Sequence, residues 1–397
     1  MQQRITFTLI YGAIFMLAPF AIDMYLPALP TIATDLHTGI DQLEGSVAIL
    51  LFGYVIGQLI IGPISDRLGR VNIMVWGLVT FTIATLLAGF VVTIEQLYLA
   101  RLFQAFGGAA ATVVIFPMIR DRNNEQGAAK TISYVMAITV IAPLIAPIIG
   151  SFILTKINWS WIFFALAIFA ALVTICAKYW IKPASSSSIR KSEFSFSAIT
   201  ASFGKILRNK QIMFHILAGS FAFAGLFAFV AGSPYVYITY YGIAAENYGY
   251  LVGLNAVAMI GVNLVNAKLL VAVNPTKKLI VGVVLMCIIG FILVIISALN
   301  LGIYWLVAGI VAYIGALGLT ATNAIVGALS VLPEENGTVS ALNGSLQFGI
   351  GAVSSLAISI LSSTDATLLT SAMFISAIFA LIAGLQLRTK QKGALNA

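Results

Sequence analysis

Asp23 and Arg101 are charged side chains inside apolar stretches long enough to cross a bilayer. Asp23 lies in FAIDMYLPALP, Phe20 to Pro30, and Arg101 opens RLFQAFGGA, Arg101 to Ala109. A charge at membrane depth costs at least about 2.5 kcal/mol, so it persists where it faces a cavity or a partner. Two readings follow: an ion pair that fixes helix packing, or a carboxylate that couples a proton or contacts a substrate. Proton coupling suits the chemistry. Burial favours the neutral form of a carboxyl group and a nearby guanidinium favours the charged form, so a site that alternates between the two settings takes up and releases a proton. Arg101 keeps its own proton and serves as the fixed positive charge. Asp23 is then both a proton-coupling and a substrate-contact candidate, with Tyr25 beside it and Gln104 one helical turn from Arg101. His215 is the remaining titrating candidate; a lone His near a helix end is more often a packing residue.

Other polar side chains within apolar stretches are Asn255, Asn263, Asn323, Asn343 and Gln347. A buried amide wants a partner, which is either a ligand or a neighbouring helix. Phe221, Phe223, Phe227 and Phe229, then Tyr235 and Tyr237, offer rings that stack on an aromatic ligand or simply face lipid. Of these, Phe227, Tyr235, Asn255, Asn323, Asn343 and Gln347 are the substrate candidates of the second half of the chain. Cys176 and Cys287 have no metal-ligand spacing and only two His are present, so neither a metal site, a cofactor nor an enzyme's nucleophile–base set is expected.

The elements that must hold these residues are membrane helices. The chain has 397 residues, 60% hydrophobic and 9% charged, against about 25% charged in soluble proteins, and its mean hydropathy is +1.04. Continuous apolar runs predict spans over 6–30, 43–63, 72–92, 96–118, 130–154, 159–181, 212–238, 246–270, 278–299, 303–330, 338–361 and 367–387. The basic residues, from Arg4, Arg67 and Arg70 through Lys277 and Lys278 to Arg388 and Lys392, fall at the termini and in alternate gaps. Lys156 is the one basic residue placed on the other side, with Asp35, Asp41, Glu44, Glu95, Glu246 and Asp365. The positive-inside rule then places both termini in the cytoplasm. The net charge of +8 is thus a topology signal, compatible with anionic lipid and not with nucleic acid. A Ser-rich charged stretch divides the chain into a six-helix bundle over 1–182, a cytoplasmic linker over 183–211 and a second six-helix bundle over 212–397. Such a duplication places the transport site between the halves.

Three motifs sharpen this reading. GPISDRLGR, Gly62 to Arg70, falls between spans two and three; Gly62 and Gly69 allow tight turns there, with Asp66, Arg67 and Arg70 as its charges. It resembles motif A of the major facilitator superfamily, although Val71 and Asn72 depart from the usual continuation. RLFQAFGGA resembles motif B, in which the membrane-embedded Arg is linked to proton transfer. APLIAPIIG, Ala142 to Gly150, carries a small-residue stripe of Ala142, Ala146 and Gly150, with Pro143 and Pro147 able to bend the helix. It resembles motif C of drug antiporters, with Ala142 in place of the first Gly, as in Bcr/CflA-type exporters. DMYLPALP at Asp23, RD at Arg120–Asp121 and GSPYVYITYYG at Gly232–Gly242 are similar to that same branch, while NLVNAKLL, Asn263 to Leu270, is at most a degenerate second motif A.

The resemblance implies an all-α membrane protein of twelve helices in two pseudo-symmetric bundles. It implies a monomeric proton-coupled antiporter of the bacterial inner membrane, exporting chloramphenicol- or bicyclomycin-like drugs, with Asp23 as the proton-binding carboxylate. The alternative is a facilitator for one metabolite. With Asp23 the only acid at depth, neutral or zwitterionic substrates fit better than polycations.

Overall fold

The computed structural model of the chain describes residues 2–122, 131–132, 134–135, 138–139, 141–181, 203–268, 270, 273–332, 335–361 and 365–395. The described residues are helical, with no strand among them. The elements are α1 (Gln2–Asp23), α2 (Leu29–Asp35), α3 (Ile40–Leu68), α4 (Arg70–Ala88), α5 (Ile94–Val113), α6 (Ile115–Arg122), α7 (Ala142–Lys156), α8 (Ser160–Trp180), α9 (Lys210–Pro234), α10 (Ala245–Lys268), α11 (Pro275–Ala298), α12 (Ile303–Leu329), α13 (Asn336–Leu361) and α14 (Thr367–Leu395). Eleven stretches among the described residues are long and apolar enough to span a membrane, and α7 is a shorter apolar helix. Residues 130, 133, 136, 137 and 140 of the predicted fifth span and most of the predicted linker lie outside the described residues. The chain forms two compact units, Met1–Glu193 with Ala244–Gly253, and Phe194–Ile243 with Leu254–Ala397.

Helix starts follow local chemistry. The Thr93 side chain accepts from the Gln96 N–H at the start of α5, Asn209 accepts from Gln211 and Ile212 at α9, and Asn274 accepts from Thr276 before Pro275 opens α11. Within the first unit, small residues bring backbones together. A Cβ added at Gly53 or Gly57 of α3 would press on Ala105 or Ala109 of α5, and one at Gly107 of α5 would meet the Phe81 backbone of α4 at 2.5 Å. The Gly107–Ala111 run of α5 is therefore a seam clasped by α3 and α4, and it fixes where Arg101, two turns earlier, can point.

Two expectations are corrected. GPISDRLGR is not a loop: α3 runs through Leu68, so Gly62 is helical and makes no turn. The reversal falls on Gly69 alone, at φ 88°, a conformation glycine adopts without a Cβ penalty. A helix whose last turn is polar can extend beyond the apolar boundary, which hydropathy alone does not register. Lys278 belongs to the first turns of α11 instead of preceding it, and its Nζ donates to the Leu270 carbonyl at 3.2 Å while the side chain is buried.

Candidate functional site

The first span breaks at Asp23. The residue following it are a turn, a 3-10 helix over Leu26–Ala28 and then α2. Pro27 has no N–H to return to the Asp23 carbonyl, so the α-helical ladder stops there. The Tyr25 N–H turns to the Ile22 carbonyl at 3.3 Å. The Ala21 carbonyl, which an unbroken helix would pair with Tyr25, is taken by Arg101: Nη1 donates to it at 2.8 Å. The same nitrogen donates to Gln104 Oε1 at 2.9 Å, Gln104 Nε2 donates to Thr85 Oγ1 at 2.8 Å, and Thr85 Oγ1 donates to the Phe81 carbonyl.

Arg101 is 1% exposed. Its guanidinium carbon sits 3.9 Å from the Tyr25 ring centroid and 5.0 Å from that of Phe163. Cation–π contact of a desolvated guanidinium is worth about 2 kcal/mol. Nε and Nη2 have no hydrogen-bond partner among the described residues. Tyr25 is oriented in turn: Ser46 Oγ spends its hydrogen on the Leu43 carbonyl at 2.6 Å, so the Tyr25 hydroxyl donates to Ser46 Oγ at 3.0 Å. Further along the same span, the Trp159 ring nitrogen donates to Asp35 Oδ2 at 2.6 Å and its ring meets Phe163 edge-on.

Asp23 is 9% exposed, and among the described residues it has no hydrogen bond or ion pair. The structure thus brings Asp23, Tyr25, Arg101 and Gln104 to one break in the first span but does not pair the two charges. The ion-pair reading is corrected: the guanidinium is held by a carbonyl, an amide and two rings. Sequence reasoning missed Ser46, Thr85 and Phe163, whose residue types are common in any membrane helix.

Glu44, grouped by the sequence with the acids of the side opposite the basic residues, is 5% exposed in α3, so Asp23 is not the only buried acid. Its neighbours Leu43, Val47 and Ala48 are buried with it.

The small-residue stripe of α7 packs on the same break. Ala142 and Ala146 are fully buried, and a Cβ at Gly150 would collide with the Met24 carbonyl. Pro143 lies in the first turn of α7, where a missing N–H costs nothing, so of the two prolines only Pro147 is interior. Gly249 of α10 lies against the Pro147 carbonyl, 2.6 Å from where its Cβ would be. The side chains of Asp66, Arg67, Arg120 and Asp121 lie outside the described residues; Arg70 is half-buried.

In the second unit the candidates separate by hydrogen bonding. Asn323 is satisfied: Nδ2 donates to the Leu319 carbonyl at 2.7 Å and to Asn266 Oδ1 at 3.2 Å. Asn263 Oδ1 accepts from Thr322. Asn255 is 5% exposed with neither amide atom partnered, and Asn343 Oδ1 is likewise buried without a partner. Phe227 lies against Phe348 at 5.9 Å and covers Gly351 of α13, while Gln347 and Tyr235 are half-buried. Tyr235 opens a π-helical turn, Tyr235–Tyr240, that extends the seventh span beyond Pro234; Gly242, at φ 68°, follows it. His215 is a packing residue: Nδ1 contacts the Gln211 carbonyl at 2.8 Å, Nε2 contacts Thr276 Oγ1 at 3.1 Å, and the ring fills the space over Gly327.

The family model described as Major Facilitator Superfamily matches residues 12–355. The chain belongs to this superfamily. As a facilitator it is a multi-pass membrane transporter and not an enzyme, and its helices have the major facilitator fold. It is 30% identical over 354 residues, 89% of each chain, to a bicyclomycin resistance protein homolog of Haemophilus influenzae. It is 28% identical to the uncharacterized MFS-type transporter YdgK of Bacillus subtilis over 99% of this chain and 98% of that one. It is also 36% identical to the multidrug resistance protein MdtL of Vibrio parahaemolyticus over 44% of each. Among solved structures a D-xylose–proton symporter aligns over 96% of this facilitator and 97% of the symporter, with a TM-score of 0.78 at 15% identity, a likeness of fold.

Proposed function

We propose that this facilitator is a proton-coupled antiporter that exports small drug-like molecules by alternating access, with Asp23 as the proton-binding carboxyl. The observation that carries the proposal is the arrangement at the first-span break. A buried carboxyl without a partner lies two residues from a ring that covers Arg101, and Arg101 keeps two buried nitrogens unpaired. A carboxylate in that setting gains either from a proton or from a polar ligand, and the two exclude each other, so one site enforces exchange. Drug binds beside the ionised carboxylate from the cytoplasmic side; a proton from the outer side neutralises it and releases the drug. Arg101 does not titrate, and its hold on the Ala21 carbonyl and Gln104 keeps the positive charge fixed through the cycle.

Asn255 and Asn343 are the substrate contacts best supported in the second unit, because their amide atoms have hydrogen bonds still to make. Gln347, Tyr235 and Phe227 are further contacts, and Asn323 a structural amide. The Gly62–Arg70 segment and the Ala142–Gly150 stripe serve conformational change. The substrate class follows the relatives named for bicyclomycin and multidrug resistance. The protein sits as a monomer in the bacterial inner membrane, both termini cytoplasmic, and handles no nucleic acid.

Everted vesicles test the reading. An imposed pH gradient drives accumulation of bicyclomycin or chloramphenicol, and collapse of the gradient releases the drug. Accumulation of one metabolite, with none across the drug panel, would replace this reading with a dedicated metabolite facilitator.

A further inference from the structure

Glu44 lies near the Gly39 end of the first unit, in the second turn of α3. Three observations set it apart. It is 5% exposed, and among the described residues it has no hydrogen bond or ion pair. Exposure falls along its own helix face: Asp41 is half-buried and Glu44 buried, and the two are three apart, hence neighbours on the helix surface. Third, Ser46, two residues on, receives the Tyr25 hydroxyl, so this end of α3 lies against the break that carries Asp23.

The charged groups around this end are mainly acidic; His37, in the turn before α3, and Lys156, in the last turn of α7, are exposed, and neither makes an ion pair with Glu44 among the described residues. Asp41 is on the same helix. Asp35 of α2 accepts from Trp159. On α5, Glu95 is acidic and the Tyr98 hydroxyl donates to the Gln42 carbonyl; Arg101, farther along α5, directs Nη1 to Ala21 and Gln104. On α4 the one charged residue, Arg70, starts the helix at the opposite end of the unit. An ionised carboxylate largely withdrawn from water without a partner is costly, and the same group carrying a proton is less so.

We propose that Glu44 is a second proton-binding carboxyl of this transporter, placed between the Asp35–Gly39 surface and Asp23. A proton entering at Asp41 meets Glu44 before the first-span break, so Glu44 holds protons for Asp23. The transport role rests on the antiport reading; the proton binding itself does not.

Infrared titration of the full chain in liposomes, on the Asp23→Asn background, tests the proton binding without any substrate. The expected result is a protonated-carboxyl stretch that fades as pH rises, is absent from the Asp23→Asn, Glu44→Gln double variant, and returns shifted with Glu44→Asp. Superposable spectra of the first two proteins at every pH overturn the proposal. For the transport role, Glu44→Gln on the native background should slow bicyclomycin-evoked proton movement about tenfold and shift its pH profile, with bicyclomycin exchange at equal pH unchanged. An unaltered pH profile, or equal loss of exchange that Glu44→Asp does not restore, contradicts that role. Absence of any bicyclomycin-evoked proton signal from the native protein sinks the antiport reading alone, and the infrared bands still decide Glu44.

Discussion

Arg101 is the residue on which the first-span site turns, because its planar fork does several things at once. One nitrogen bridges the Ala21 carbonyl and Gln104 while the plane lies on Tyr25. A lysine keeps the charge but can neither bridge in that plane nor stack as well. Arg101→Lys should therefore lower transport at least about tenfold and cost about 2–4 kcal/mol of stability, the scale of a damaged buried charge site; transport assays and thermal melting read both. The asparagines divide by the same logic. Asn323→Leu breaks two bonds and should destabilise by about 1–3 kcal/mol. Asn255→Leu removes an unpartnered amide, so it should leave the melt unchanged or raise it while weakening drug binding. Asp23 and Arg101 were legible in the sequence because a charge in an apolar run is conspicuous. Their separation was not, since a carbonyl freed by a helix break leaves no mark in residue type. The burial of Glu44 was not legible for a related reason: burial near a span end depends on neighbouring helices.

At the scale of elements, the break in the first span and the stripe of α7 are one device. Gly150 admits the Met24 carbonyl because it has no side chain, so the turn after Asp23 is seated on α7. Gly150→Ala must displace backbone, which does not yield as a flexible side chain does. It should destabilise by about 1–3 kcal/mol and reduce transport, whereas Gly261→Ala, with open space around its Cβ position, should leave the melt unchanged or raise it. The break itself was legible from Pro27 and Pro30. Its docking partner was not: the Ala142, Ala146, Gly150 spacing announces a close contact without naming what is approached. His215 shows the converse, a titratable residue whose sequence position leaves two roles open until Thr276 and Gln211 are found on its two nitrogens.

For the whole molecule, composition and the length of the apolar runs already implied a polytopic helical protein, and the motifs pointed to the superfamily that residues 12–355 match. Span ends were less legible: polar residues continue α3 to Leu68 and a π-helical turn carries the seventh span to Tyr240. The central claim is that the proton rides on Asp23. Its most direct test is lumenal pH in proteoliposomes on addition of bicyclomycin, native protein against Asp23→Asn. The account predicts drug-evoked proton movement in the native protein and its loss in Asp23→Asn. Drug transport accompanied by an undiminished proton signal in Asp23→Asn would contradict it.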